Sequence, residues 1–116
     1  GTTITSSVFT ANVAEAEGGA IDAHLSDLVV RATRFVANVA GLEGGAIRSS
    51  CRAIDVTKSR FTRNRSDVDG GAIWVSGPSG TRKNLRILGA RNVFAGNRGA
   101  RASNVGGQFT ARCGRE

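Results

Sequence analysis

One phrase is written three times in this chain, and its spacing constrains the fold more than any other feature. Phe9-x-x-Asn12 precedes Gly18-Gly19-Ala20-Ile21, Phe35-x-x-Asn38 precedes Gly44-Gly45-Ala46-Ile47, and Phe61-x-x-Asn64 precedes Gly70-Gly71-Ala72-Ile73. The step from Phe to Phe and from Gly-Gly to Gly-Gly is 26 residues each time. A looser fourth copy reads Phe94, Asn97, Gly106-Gly107, Gln108, Phe109, with seven extra residues between Gly70 and Phe94 and three between Asn97 and Gly106. A fixed period of this length means a stack of one supersecondary unit.

Each copy carries two alternating segments. Ahead of the Phe lie Ile4, Leu28/Val30, Ile54/Val56 and Ile87, five or seven residues away, so a period of two turns all of them to one side. After Gly-Gly, Ile21, Ala23 and Leu25 face one way, with Ala20, Asp22 and His24 facing the other. Val, Ile and Thr dominate these segments, which favours strand. A helix is excluded by the Gly-Gly pair, at about 1 kcal/mol per Gly relative to Ala. A leucine-rich repeat has a similar period, but its Leu-x-x-Leu-x-Leu frame is missing.

The reading that accommodates every feature is all-β: a parallel β-helix, or solenoid, of about four coils of 26 residues. It is right-handed by the rule for parallel crossovers. Equivalent residues then stack at about 4.8 Å, giving an internal column of Phe9, Phe35, Phe61 and Phe94, and a second of Ile21, Ile47, Ile73 and Phe109. Asn12, Asn38, Asn64 and Asn97 form a buried corner ladder whose amides satisfy turn backbone. Gly-Gly serves the next corner, where a Cβ would obstruct. Cys51 and Cys113 each lie seven residues after a Gly-Gly and two coils apart. That is roughly 9–10 Å, beyond the reach of a disulfide, so two unpaired thiols are expected.

Phe-x-x-Asn alternating with Gly-Gly-Ala-Ile resembles the repeats of the polymorphic outer-membrane proteins of chlamydiae, over nearly the whole chain. The resemblance implies a pectin-lyase-like β-helix in the passenger part of an exported, adhesin-like surface protein. The fourth copy departs from the pattern, with Gln108 in place of Ala.

The 116 residues carry a net charge of +7, distributed as −2 over residues 1–50 and +9 over residues 51–116. No apolar run reaches the roughly 18 residues of a membrane span. The chain opens in mid-repeat, so residues 1–116 are read as a single β-helix segment of a longer repeat protein. Glu17, Glu43 and Asp69 precede the Gly-Gly pairs as an acidic ladder, read as solvated turn residues, with Ca²⁺ as the alternative. Scattered acids and a single His, His24, form no paired-carboxylate or nucleophile constellation.

The candidate binding face is the outward column Asp22, Arg48, Trp74 and Thr110, together with the insertion 77–83, which adds Arg82 and Lys83. Arg48, Trp74, Arg82 and Lys83 are the expected binding residues, with Trp74 either an exposed platform or packed beneath the insertion. The functional expectation is a surface-exposed or extracellular scaffold that binds an acidic glycan or a partner surface protein without catalysis. Neither a cofactor nor a resident metal is expected. The alternative is a polysaccharide lyase or hydrolase of the same architecture. Nucleic acid is disfavoured because the basic half lacks interleaved aromatics. Asn64-Arg65-Ser66 is a formal glycosylation sequon, expected unmodified because Asn64 belongs to the buried ladder.

Overall fold

The fold comes from a computed structural model, which describes residues 1–77, 85–87 and 91–108. The first coil lays down β1 (Thr2–Thr5), β2 (Val8–Thr10), β3 (Val13–Ala14) and β4 (Ile21–His24). The second repeats them as β5 (Leu28–Arg31), β6 (Arg34–Val36), β7 (Val39–Ala40) and β8 (Ile47–Ser50). The third gives β9 (Ile54–Thr57), β10 (Arg60–Thr62), β11 (Arg65–Ser66) and β12 (Ile73–Ser76). The fourth contributes β13 (Leu85–Arg86), β14 (Val93–Ala95) and β15 (Val105–Gln108). Each strand pairs in parallel with its counterpart in the next coil, in the orders β1-β5-β9-β13, β2-β6-β10-β14, β3-β7-β11 and β4-β8-β12-β15. The chain is a parallel β-helix, and no helix occurs among the described residues.

The inward residues stack as their spacing requires. Phe9, Phe35, Phe61 and Phe94 lie ring on ring, with centroids 5.0, 4.7 and 5.0 Å apart. Phe35, Phe61, Ile47, Ile54, Ile73, Val30 and Val56 are wholly buried, whereas Ile4, Phe9 and Ile21 of the first coil are only partly so. The first-coil strands pair with a coil on one side, whereas those of the second and third coils pair on both. The Ala of the repeated phrase also belongs inside. Ala46 and Ala72 are fully buried and Ala20 packs on the core, against the outward placement expected for it.

Two hydrogen-bonded ladders run along the stack. Asn12, Asn38 and Asn64 each donate the side-chain amide to the Asn Oδ1 one coil on, at 3.0, 2.9 and 3.0 Å. Asn38, Asn64 and Asn97 also donate to the carbonyls of Phe9, Phe35 and Phe61, one coil back. The second ladder lies two residues before each Phe. The Ser7, Thr33 and Ser59 amides donate to Thr33 Oγ1, Ser59 Oγ and Asn92 Oδ1 of the following coil.

The corners place residues at positive φ: Ser6, Ala32, Lys58 and Arg91 at one, Ala11, Ala37, Arg63 and Gly96 at the next. Leu25 (φ 55°) and Cys51 (φ 70°) occupy another, so Leu25 turns outward to 37 % exposure instead of inward as expected. Gly-Gly does two different jobs. A Cβ on Gly44 (φ 71°) would meet the Ile47 carbonyl at 2.3 Å, within its own turn. A Cβ on Gly45 would lie 2.0 Å from the Gly71 carbonyl oxygen of the next coil.

The fourth coil differs from its sequence reading. Leu85 pairs with Ile54, so Ile87 aligns with Val56 and not with Ile54. Phe94 pairs with Phe61 as expected, but Val105, not Phe109, takes the place of Ile73. Asp22, Arg48 and Trp74 therefore continue into Gly106 and not into Thr110. The Gly71 amide donates to Ala102 O and the Ile73 amide to Asn104 O, as the Gly45 and Ile47 amides do to Gly70 and Ala72. The corner thus runs Ala102-Ser103-Asn104-Val105, and Gly106-Gly107 lies within β15.

That shift also overturns the expectation of two free thiols, because Cys51 is disulfide-bonded. With Val105 opposite Ile73, β15 does not take the register that the Gly-Gly spacing implied, on which the separation of the two cysteines rested. The chain's other cysteine, Cys113, lies outside the described residues.

Candidate binding face

The register of β4, β8 and β12 brings Asp22, Arg48 and Trp74 into one outward column. Arg48 bridges its neighbours. Its Nη1 is 3.2 Å from Asp22 Oδ1, and its guanidinium carbon lies 5.7 Å from the Trp74 ring centroid. An Arg held over an aromatic face gains on the order of 0.5–1 kcal/mol when exposed, more when desolvated. Arg48 Nε is buried without a hydrogen-bond partner among the described residues.

Trp74 is only 8 % exposed, so it is not an open platform. Its indole Nε1 donates to Asp69 Oδ2 at 3.1 Å, and Asp69 Oδ1 accepts from the Gly70 amide at 2.8 Å. Asp69 is itself 7 % exposed, so this member of the acidic ladder is a bonded structural group and not a solvated turn residue. Its carboxyl occupies the space that a Cβ at Gly106 would need. The glycine in β15 has a role here that motif matching had assigned to a corner.

Glu43 pairs through its backbone with Asp69. Burial raises its pKa above the ordinary 4.5, Glu17 and Asp69 add to the rise, and Arg48 opposes it. A cleft of about 330 Å³ opens here, lined by Glu43, Asp69, Trp74, Arg101 and Gln108 among others. No group of three metal-binding side chains occurs among the described residues.

Of the four expected binding residues, Arg48 and Trp74 are in contact, while Arg82 and Lys83 lie outside the described residues. His24 Nδ1 is 2.6 Å from Ser50 Oγ one coil on. Sequence reasoning missed the Asp69–Trp74 bond, because the residues are five apart across a Gly-Gly corner. It also missed the Ser7/Thr33/Ser59/Asn92 ladder, although a small polar side chain two residues before every Phe was a visible signal.

A stacked parallel solenoid with one aromatic column and one amide ladder is the class this geometry defines. Residues 58–76 match the model of the Chlamydia polymorphic membrane protein (Chlamydia_PMP) repeat. The matched stretch contains Phe61, Asn64 and Gly70-Gly71-Ala72-Ile73, the third copy of the phrase. No curated protein and no solved structure matches the chain.

Proposed function

We propose that this chain is a segment of a surface-associated β-helical scaffold, right-handed and pectin-lyase-like, that binds partners without catalysis. The observation that carries the reading is the division of labour within each coil. Inward positions keep Phe, Ile and Asn in register, whereas the outward column changes from Asp22 to Arg48 to Trp74. A solenoid that fixes its interior and varies its faces presents an extended contact surface. The match to a membrane-protein repeat supports a cell-surface or extracellular setting.

The contact residues in this reading are Arg48, oriented by Trp74 and Asp22, with Arg82 and Lys83. The partner is an acidic glycan or an acidic patch on another surface protein. A cell-surface and glycan binding screen tests the reading, comparing the native chain with Arg48→Ala and with a variant lacking residues 77–83. Weaker binding by both variants is expected. Binding equal to the native chain removes this face from the function, and release of new sugar ends by the native chain replaces the scaffold with an enzyme.

A further inference from the structure

A second groove lies on a different face, outside β1, β5, β9 and β13. It has a volume of about 470 Å³ and is lined by Thr5, Ser6, Arg31, Ala32, Asp55, Thr57, Lys58 and Arg86. These residues come from all four coils. Parallel pairing places Thr5 beside Arg31 and Arg31 beside Thr57, with Asp55 beside Arg86. Three coil steps of about 4.8 Å make the groove about 14 Å long, so it suits an extended chain better than a single ion.

Its electrostatics are unusual for a solvated face. Three cations surround one carboxylate, yet none of Arg31, Lys58 and Arg86 makes an ion pair among the described residues, where the two ion pairs are Arg48–Asp22 and Arg65–Asp67. Asp55 is partly exposed and lines the groove, and its Oδ1 is buried with no hydrogen-bond partner among the described residues. A buried carboxylate oxygen left unbonded is costly. The groove therefore sets three cations without an ion-pair partner among the described residues beside one partly exposed carboxylate.

We propose that this groove binds a linear acidic polysaccharide, with Arg31, Lys58 and Arg86 on its carboxylate or sulfate groups and Asp55 accepting from a sugar hydroxyl. The choice of ligand follows from what lines the groove. No aromatic residue is among the described residues that line it, so nothing there stacks a base, which disfavours a single-stranded nucleic acid. A carboxylate among the cations repels phosphate but suits a ligand that carries hydroxyl donors between its anionic groups. The hydroxyls of Thr5, Ser6 and Thr57 extend the same polar lining. This inference rests on the scaffold reading only in taking the chain to bind without turnover; the site and its residues are separate from Arg48 and Trp74.

The test is calorimetric titration of the native chain with a heparin-derived oligosaccharide, an oligogalacturonate, a neutral maltooligosaccharide and an oligothymidylate, at low and at physiological salt. The first two probes separate sulfate from carboxylate as the anionic source. Binding of at least one acidic glycan is expected, with no binding of the neutral sugar. Arg31→Ala and Arg86→Ala, both at exposed positions, are expected to weaken it about tenfold each. Unchanged far-UV circular dichroism shows that each variant is folded, and Arg86→Glu serves as the second variant should Arg31→Ala fail to fold.

Asp55→Ala gives the sharper result. It raises the net charge, so a groove acting by charge alone binds the glycan more tightly, whereas a hydroxyl-accepting carboxylate predicts weaker glycan binding and tighter oligothymidylate binding. Tighter or unchanged glycan binding by Asp55→Ala overturns the proposal, as does native binding of the oligothymidylate equal to that of the glycan. Loss of cell-surface binding in Arg48→Ala alone, with no acidic glycan bound by the native chain, overturns this groove and leaves the scaffold reading standing.

Discussion

Asn97 donates its side-chain amide to Asn104 Oδ1 at 3.2 Å, seven residues further along its own coil. Asn12, Asn38 and Asn64 each donate instead to an Asn one coil on. Asn104 stands where the lower coils have Ala46 and Ala72, so a single substitution at the corner supplies the acceptor from within the coil. Asn104→Ala is expected to cost about 1 kcal/mol, one neutral hydrogen bond. Asn64→Ala removes bonds to both neighbouring coils and leaves buried partners unsatisfied, so its cost is expected to be several times larger, about 3–5 kcal/mol. Urea denaturation of the two variants checks the ordering. Because Asn64 is wholly buried, the sequon it begins is expected to carry no glycan after secretion from a eukaryotic host, as intact mass would show.

Phe35 has a ring stacked on each side, at 5.0 and 4.7 Å. Phe35→Ala is expected to cost about 3–5 kcal/mol, and Phe9→Ala, at the partly exposed end of the column, distinctly less. Chemical denaturation giving equal losses would contradict the column as the centre of the core.

Two glycine and alanine exchanges should act in opposite directions. Gly45→Ala sets a Cβ against the backbone of the next coil, which cannot move aside as a side chain could, and is expected to cost about 3 kcal/mol or more. Ala37 sits at φ 57°, the corner position that Gly96 holds in the fourth coil. Ala37→Gly removes left-handed strain of about 1–2 kcal/mol at an entropic cost of about 0.5–1, so a small gain in thermal midpoint is expected.

The raised pKa of Glu43 has a defined sign. The folded chain holds that proton more tightly than the unfolded chain does, so folding is favoured at pH below the ordinary value of 4.5 and loses that advantage as pH rises through the folded value. Glu43→Gln is therefore expected to raise the melting temperature at neutral pH and to have less effect in acid. A pH series of thermal melts on both proteins reads this directly.

Cys51 is expected to give no free thiol when the non-reduced chain is titrated in denaturant. Reduction is expected to lower stability by about 2–5 kcal/mol. A full complement of free thiols before reduction would contradict the bonded state of Cys51.

The lower three coils were legible because identical side chains recur at identical spacing, and stacking turns such recurrence into columns. Phe9, Phe35 and Phe61 needed only the period. The fourth coil misled because Gly106-Gly107 imitates the corner phrase while pairing with Trp74 and Val75 in mid-strand. Backbone pairing decides register, and the residues that mark the corner there, Ala102 and Ser103, have no glycine to announce them. The burial of Trp74 was equally hidden, since its Asp69 partner was read as part of a charge ladder.

Ser103 has one further consequence. Its carbonyl faces Gly71 as the Gly71 carbonyl faces Gly45. In those lower coils the residue in this place must be glycine, because the carbonyl oxygen of the coil above would lie 2.0–2.2 Å from any Cβ. Ser103 has a Cβ. A backbone laid on this corner therefore cannot bring its carbonyl down as Ser103 does onto Gly71. Parallel β stacks accept further strands readily, and one hydroxymethyl group here decides which backbone the corner can receive.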